Sequence, residues 1–496
     1  MIALKYDDFV KAYKRYDRFV FIREIEGDLH TPLGIIYKNR DNPFYFMLES
    51  ANLKKKLSRY TYFGFHIKYV HFFQGDRLKT YDSKFNKISE SSDPFSLIRD
   101  KLEEKVYCKP RIGDFFGGLV GFVGYDMINY TPYLRKKLNN IEKDRPIMGF
   151  LEVEDFFIYD NHKGKMYAVA SLKKSGYLED DFRKASNSLD ELEGFISNAN
   201  NIIMNAKTDI NFKIDNIVKD FEYNEFKERV NYLKDQIEKG ELIQVVLSNK
   251  YTINGAIDPL LFYRRLRNLN PSAYMFYLKF KDFVICGSSP ETHLKITGGK
   301  AMLKPIAGTY PKDRPIRLVK EEILKDEKEV SEHLMLLDLA RNDLSIMCDP
   351  KSIKVTKAFA VEDYSHVVHI VSEVKGIKKK GISAVELFLS TFPAGTVSGA
   401  PKVRAMELLD EVERSPRGFY AGCAGYFSYG GNLDSAIIIR SALIDNTSVV
   451  LRAGAGIVYD SDPHKEFCEV ENKLRALTVT INSLSSGEEK DVFNSR

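Results

Sequence analysis

SAIIIRSALI (residues 435–444) and SVVLRAGAGIVY (448–459) stand one after the other, and only then comes the helical run HKEFCEVENKLRALTVTINSL (464–484). The first two runs are apolar and rich in β-branched residues, bounded by turn-forming Asp and Asn, and read as strands. The third repeats its apolar residues at helical spacing. Upstream, YMFYLKF (274–280) and DFVICGSS (282–289) also succeed one another with no helix between them. Helices and strands are thus mixed without regular alternation, which argues for an α+β fold rather than a doubly wound one.

Working outward, VVHIVSEVKG (367–376) is a further strand, and helices are expected over Tyr223–Gly240, Glu321–Ala340 and Pro401–Glu413. Residues 41–171 are mostly strand-like, with aromatic and β-branched runs such as FYFMLES and FFGGLVGFVGYD. Lys, Asp, Asn and Ser then dominate, which suggests a boundary. The expected organisation is an N-terminal region, 1–172; a polar connection with a surface helix or two, 173–220; a main region, 221–484; and a frayed tail, 485–496.

Composition narrows the function classes. With 74 Lys plus Arg against 69 Asp plus Glu, the formal charge of +5 over 496 residues does not suggest a nucleic-acid binder. The five cysteines are scattered without zinc or redox spacing, as in a reducing cytoplasm. No signal peptide or membrane-spanning run is apparent, so a cytoplasmic, soluble protein is expected.

Two helical segments carry paired carboxylates. In DEKEVSEHLMLLDLARNDL (326–344), Asp326, Glu329 and Glu332 share a face, with His333 close by. In the last helix Glu466, Glu469 and Lys473 share one face, opposite Phe467, Val470, Leu474 and Leu477. Glu-x-x-Glu on one helix is most often a solvated face. Two such helices together can build the oxygen-rich site that a small hard cation such as magnesium takes.

Two glycine-rich stretches stand out. In TFPAGTVSGAP (391–401), Gly395, Thr396, Ser398 and Gly399 precede a helix expected to begin with Pro401 and Lys402, an anion site suited to carboxylate or phosphate. Gly454 and Gly456 follow a strand and fit either a tight turn or close approach of a ligand to the backbone. His366 and His369 lie on opposite faces of one strand, so they are not expected to share a metal.

These pieces occur in one order: ELIQVVLSNKY (241–251), NPSAYMFYLKF (270–280), VICGSSPETHLKI (284–296), KPIAGTYPK (304–312), the acidic run at 326–344, YSHVVHIVSEVKG (364–376), TFPAGTVSGAPKVRAMELLDEVE (391–413), the segment from Arg417 to Leu443, and LRAGAGIVYDSDPHKEFCEVENKLRAL (451–477). In that order they resemble the chorismate-utilising enzymes. The N-terminal part matches chiefly through FMLES (46–50) and SRYTYFG (58–64).

The resemblance implies large antiparallel β-sheets forming a sandwich-like core with helices outside, and the N-terminal segment in the same body. It implies a Mg2+ ion on Glu332 and Glu469, with Glu329 and Glu466 near. Chorismate would meet Tyr420, Arg440, Thr309, Thr396 and the amides of Gly454, Ala455 and Gly456. Glu291 would be the general acid, His369 would assist aromatisation, and Lys473 would give electrostatic support. Gln244 stands where water-using members carry a lysine base, which points to ammonia. Ala307 stands where many aminodeoxychorismate synthases carry a lysine, which favours anthranilate as product over that folate-branch alternative. Glu49, Ser50, Pro271, Tyr274, Met275 and Phe276 resemble the paired segments that bind feedback tryptophan. No glutaminase motif is found, so a separate glutamine amidotransferase subunit, in a hetero-oligomer, is expected to supply ammonia.

Overall fold

The computed structural model describes residues 4–26, 30–50, 59–131, 134, 136–197, 216–311, 315–363 and 367–484. His366, the tail 485–496 and most of the end of the polar connection lie outside them. Two large sheets dominate the described residues. One runs Asn216–Lys219, Gln244–Asn254, Ser448–Ile457, Ser441–Asp445, Phe283–Ser289, Tyr274–Phe280, Tyr45–Glu49 and on through N-terminal strands to Val106–Cys108. The other runs Ile306–Pro311, Val367–Ile377, Lys300–Leu303, Thr292–Thr297, Leu433–Ile437, Cys423–Ser428, Gly118–Val123 and on to Lys87–Ser91. Pairing is antiparallel except where Arg18–Ile25 meets Val106–Cys108. The fold is the α+β sandwich with helices outside, and each sheet joins a block of N-terminal strands to a block of later ones, at the pairings of Tyr45–Glu49 with Tyr274–Phe280 and of Gly118–Val123 with Cys423–Ser428.

Burial follows the pleat. Phe46, Phe122, Phe276 and Leu278 fill one core with residues of both sheets, between them. The opposite face of the first sheet packs Met47, Met275 and Tyr277 against the helices Tyr223–Glu238, Pro259–Leu269 and Pro463–Asn482. Leu294 and Leu433 of the second sheet pack with Leu337, Leu344 and Phe388 from the helices Glu327–Met347 and Ala384–Thr391. Complete burial of such side chains stabilises by about 1.5–3 kcal/mol each, which fixes the register of both sheets.

Several local expectations are corrected. SAIIIRSALI is not one strand. Leu433–Ile437 belongs to the second sheet and Ser441–Asp445 to the first, with Arg440 at the crossing in a left-handed conformation, φ 50°. The run 282–297 makes the reverse crossing, with Glu291 between Phe283–Ser289 and Thr292–Thr297. The helix expected over Glu321–Ala340 is two helices, Ile316–Ile323 and Glu327–Met347. Asp326 caps the second, accepting from the amides of Lys328 and Glu329, so it leaves the carboxylate face.

The loop before Lys402–Val412 has structure of its own. Gly395–Val397 forms a 3-10 turn and Gly399–Ala400 pairs as a short strand with Gln244 and Val245. Pro401 is the cap rather than the first helical residue. Gly454 and Gly456 make no turn either, since both lie within Ser448–Ile457.

Candidate active site

The site is built where strands change sheets. The two crossings run beside each other: the Ile437 amide donates to the Glu291 carbonyl and the Ser288 amide to the Arg440 carbonyl, each at 3.1 Å. Glu291 and Arg440 are thereby held side by side between the layers. Burial raises the Glu291 carboxyl to about 7, and the Thr396 hydroxyl, Lys473 and Arg440 pull it back toward ionisation. Arg440 has its own pKa lowered by burial, with Glu291 opposing, and its guanidinium makes no hydrogen bond or ion pair with any described residue. A shielded cation of this kind is a place for an anion.

The strand Ser448–Ile457 forms one wall. A Cβ on Gly454 would stand 2.9 Å from the Leu247 carbonyl and 3.1 Å from the Tyr420 hydroxyl, so the backbone leaves no room there, and one on Gly456 would stand 2.6 Å from Nε2 of Gln244, whose side chain would have to move. Gln244 is buried and donates through Nε2 to Oε1 of Glu332 at 3.1 Å. Ala455 lies between the two glycines, paired with Leu247. Lys473 reaches from the last helix to the Gly454 carbonyl at 2.8 Å and to Glu469 at 2.6 Å.

The last helix packs on this strand, and its carboxylates come within the field of those on Glu327–Met347. Asp462 caps the last helix and Pro463 opens it, which sets Glu466 and Glu469 on the first two turns. Glu329 is raised to about 7, first by burial and then by repulsion from Glu332, Asp326 and Glu469. Glu466 is raised by burial, eased by the Ser461 hydroxyl, and raised again by Glu469. Four carboxylates of two helices therefore share one field. Among the described residues, no three His, Cys, Asp or Glu side chains are gathered closely enough to enclose an ion. Ser461, Gln244 and Lys473 each hold one carboxylate aside.

His369 joins the site through Gly308. Its Nδ1 donates to the Gly308 carbonyl at 2.7 Å, which leaves Nε2 as the basic nitrogen of the neutral ring. Gly308 has φ +66°, and a Cβ there would come 3.1 Å from the Glu329 carboxylate. Thr309 follows on the same strand; its side chain lies outside the described residues. His333 instead points into the core, where its Nε2 meets the Ser372 hydroxyl at 2.7 Å.

A second cavity, of about 420 Å³, is lined by Leu48, Ser50, Tyr274, Phe276, Tyr426 and Asp434 among others. Strand pairing joins the two distant segments, Met275 opposite Glu49 and Phe276 opposite Leu48. Of the six residues expected here, Glu49, Ser50, Tyr274, Met275 and Phe276 border the cavity, and the pleat divides their side chains. Met275 packs in the helix-side core, and the Glu49 carboxylate accepts from Tyr263 and Arg267, both at 2.7 Å. Tyr274 donates to Asp434 at 2.9 Å and meets the Thr292 hydroxyl at 3.0 Å. Pro271 is half-buried just before the strand and does not line the cavity.

The model of the chorismate binding enzymes matches residues 53–479. The chain belongs to this family. It is 36% identical to anthranilate synthase component 1 of Aquifex aeolicus over 99% of this chain and 100% of that one. It is 34% identical to the protein of the same name from Neisseria meningitidis serogroup B, over 97% of this chain and 98% of that one. The crystal structure of anthranilate synthase component I from Streptococcus pneumoniae superposes with a TM-score of 0.73 at 30% identity, covering 92% of this chain and 99% of that one. The menaquinone-specific isochorismate synthase of Escherichia coli shares the fold, with a TM-score of 0.69 at 18% identity. As a chorismate binding enzyme the chain has its carboxylate, arginine and glycine motifs converging on one site. No helix among the described residues is long and apolar enough to cross a membrane.

One buried arrangement escaped sequence reading: Arg417, Glu413 and Arg452 behind Tyr420. The spacing of Glu413 and Arg417 by four was its only signal, and that spacing is common on exposed helices.

Proposed function

We propose that the chain is the catalytic subunit of an anthranilate synthase, converting chorismate and ammonia to anthranilate and pyruvate at the opening of the tryptophan branch. The observation that carries this reading is Gln244, a neutral amide bonded to Glu332 and lying against Gly456. It occupies the position of a water-activating base and cannot act as one, so ammonia is the nucleophile.

Arg440 pairs with the enolpyruvyl carboxylate by a charged fork, and the Tyr420 hydroxyl and the Gly454–Gly456 backbone complete the contact. Ammonia forms the new bond to the ring carbon ortho to the ring carboxylate. Glu291, protonated near neutrality by its burial, delivers its proton to the departing hydroxyl, which leaves as water. His369 assists loss of the ring proton as pyruvate leaves and the ring aromatises. The repulsion among Glu329, Glu332, Glu466 and Glu469 fits a divalent cation, and those residues would hold it. Bound Mg2+ would supply Lewis-acid stabilisation of the ring carboxylate.

Ammonia from glutamine requires a separate amidotransferase subunit in this reading, and tryptophan in the second cavity would inhibit. The test is purified chain with chorismate, magnesium and ammonium salt, followed by anthranilate fluorescence. Anthranilate and pyruvate in equal amounts are expected. A para-amino product retaining its enolpyruvyl group, or isochorismate, would overturn the reading.

A further inference from the structure

Behind the site, Arg417 is fully buried and does something the proposed chemistry leaves unused. Its Nε and Nη2 each donate to the Glu413 carboxylate at 2.8 Å. Its Nη1 donates to the Val397 carbonyl and its Nη2 also to the Val246 carbonyl, both at 2.6 Å. Val397 is next to Thr396, whose hydroxyl faces Glu291, and Val246 is two residues along the strand from Gln244. Arg452 holds Glu413 from the other side at 3.1 Å and the Ser248 hydroxyl at 2.8 Å.

Arg452 alone would give the Glu413 carboxylate a counter-charge. Among the described residues, Arg417 alone donates a side-chain hydrogen bond to the two main-chain carbonyls. A planar fork of five donors reaches two carbonyls and a carboxylate at once; an ammonium, a point donor, cannot hold all three in that geometry. The carbonyls belong to the two segments that carry Gln244 and Thr396, and those segments already pair through Gly399–Ala400. We infer that Arg417 is a positioning residue, locking the Gln244 strand and the Thr396 loop into one rigid unit. This rests on the reading of Gln244 and Thr396 given above.

Arg417→Lys is the test, with Arg18→Lys as the control. Arg18 is an equally buried arginine, held by Glu104, Glu154 and the Ser171 carbonyl, away from the site. Wild-type turnover of chorismate is measured first, so that failure of the proposed function shows before the variants are compared. Arg417→Lys should lower kcat roughly tenfold or more. Its KM for chorismate should change less, because Arg440 is untouched. A stabilising osmolyte should not restore the rate. Arg18→Lys should lose thermal stability while keeping kcat once folded. Recovery of Arg417→Lys in osmolyte, wild-type kcat, or an equal loss in Arg18→Lys would overturn the inference. Hydrogen exchange of the wild-type protein tests it whether or not the variant folds or the reaction proves to be another. Amides of residues 244–248 and 394–400 should exchange at one common slow rate; a loop exchanging much faster than the strand would refute the lock.

Discussion

Glu291 and Arg440 lie on adjacent crossings between the sheets, each carbonyl accepting from an amide on the other's crossing segment at 3.1 Å. The acid and the carboxylate-binding cation are thus spaced by main-chain bonds rather than by their own side chains. Arg440 holds a positive φ that a non-glycine residue adopts only under constraint from its surroundings.

Replacing Arg440 therefore separates binding from folding. Arg440→Met removes a shielded cation without a described protein partner, so its thermal unfolding temperature should equal or exceed that of the wild type. The lost charged fork should weaken chorismate binding by about 2–3 kcal/mol, roughly 30- to 150-fold in KM. Initial-rate kinetics beside a melting curve check both. An unchanged KM would remove Arg440 from the substrate site.

Glu291 gives a pH dependence of definite sign. Its folded pKa of about 7 lies above the unfolded 4.5, so the folded state binds more protons between those values. Stability contributed by this group is therefore lost as pH rises from about 4.5 to about 7. Glu291→Gln should stabilise the protein at pH 8 and give no advantage at pH 4, while turnover collapses. At fixed free-ammonia concentration, wild-type kcat/KM should fall above about pH 7, because the acid ionises. A profile flat to pH 9 would exclude Glu291 as the acid.

The acidic helices predict metal dependence with a readout besides activity. Glu329 is raised to about 7 partly by Glu332 and Glu469, and a divalent cation would relieve that repulsion. Millimolar Mg2+ should raise the melting temperature of the wild type, since a ligand that binds only the folded state stabilises it. Glu332→Gln and Glu469→Gln should each blunt that rise and abolish turnover. A melting temperature indifferent to Mg2+ would remove the cation from these carboxylates.

Residue spacing made some of this legible and hid the rest. Glu466, Glu469 and Lys473 needed only helical periodicity, and their helix formed as expected over Pro463–Asn482. Asp326 fell off the shared face because the same carboxyl that fits a helix surface also caps its start. The crossing at Arg440 left no trace, since Ile437 and Ala442 are equally apolar whether they serve one sheet or two. Gly399 read as loop because its pairing partner Val245 lies over a hundred residues away, beyond any local pattern. Met275 and Glu49 were assigned to a ligand with their neighbours; both border the cavity, while alternation along paired strands carries their side chains toward the helix side.

The second cavity yields the last prediction. Leu48, Ser50, Tyr274 and Phe276 line it, with Tyr426 and Asp434 across from them, and its mixture of aromatic walls and polar ends suits an aromatic amino acid such as tryptophan. Thr292 and Lys304 line both this cavity and the one beside Glu291, and the Tyr274 hydroxyl touches Thr292, the next residue after the acid. An occupant that moves Tyr274 thus acts on the crossing that holds Glu291. Tryptophan should inhibit by favouring a form that binds chorismate less well, and by linkage chorismate should weaken tryptophan binding by the same factor. Ser50→Phe should fill the cavity and abolish inhibition while sparing uninhibited turnover. Met275→Leu, on the far side of the strand, should leave sensitivity within about twofold, as a volume-conserving change in a packed core. Tryptophan titrations of the three proteins at fixed chorismate separate the cases. Equal sensitivity in wild type and Ser50→Phe, or a wild type that tryptophan does not inhibit, would leave the cavity without this role.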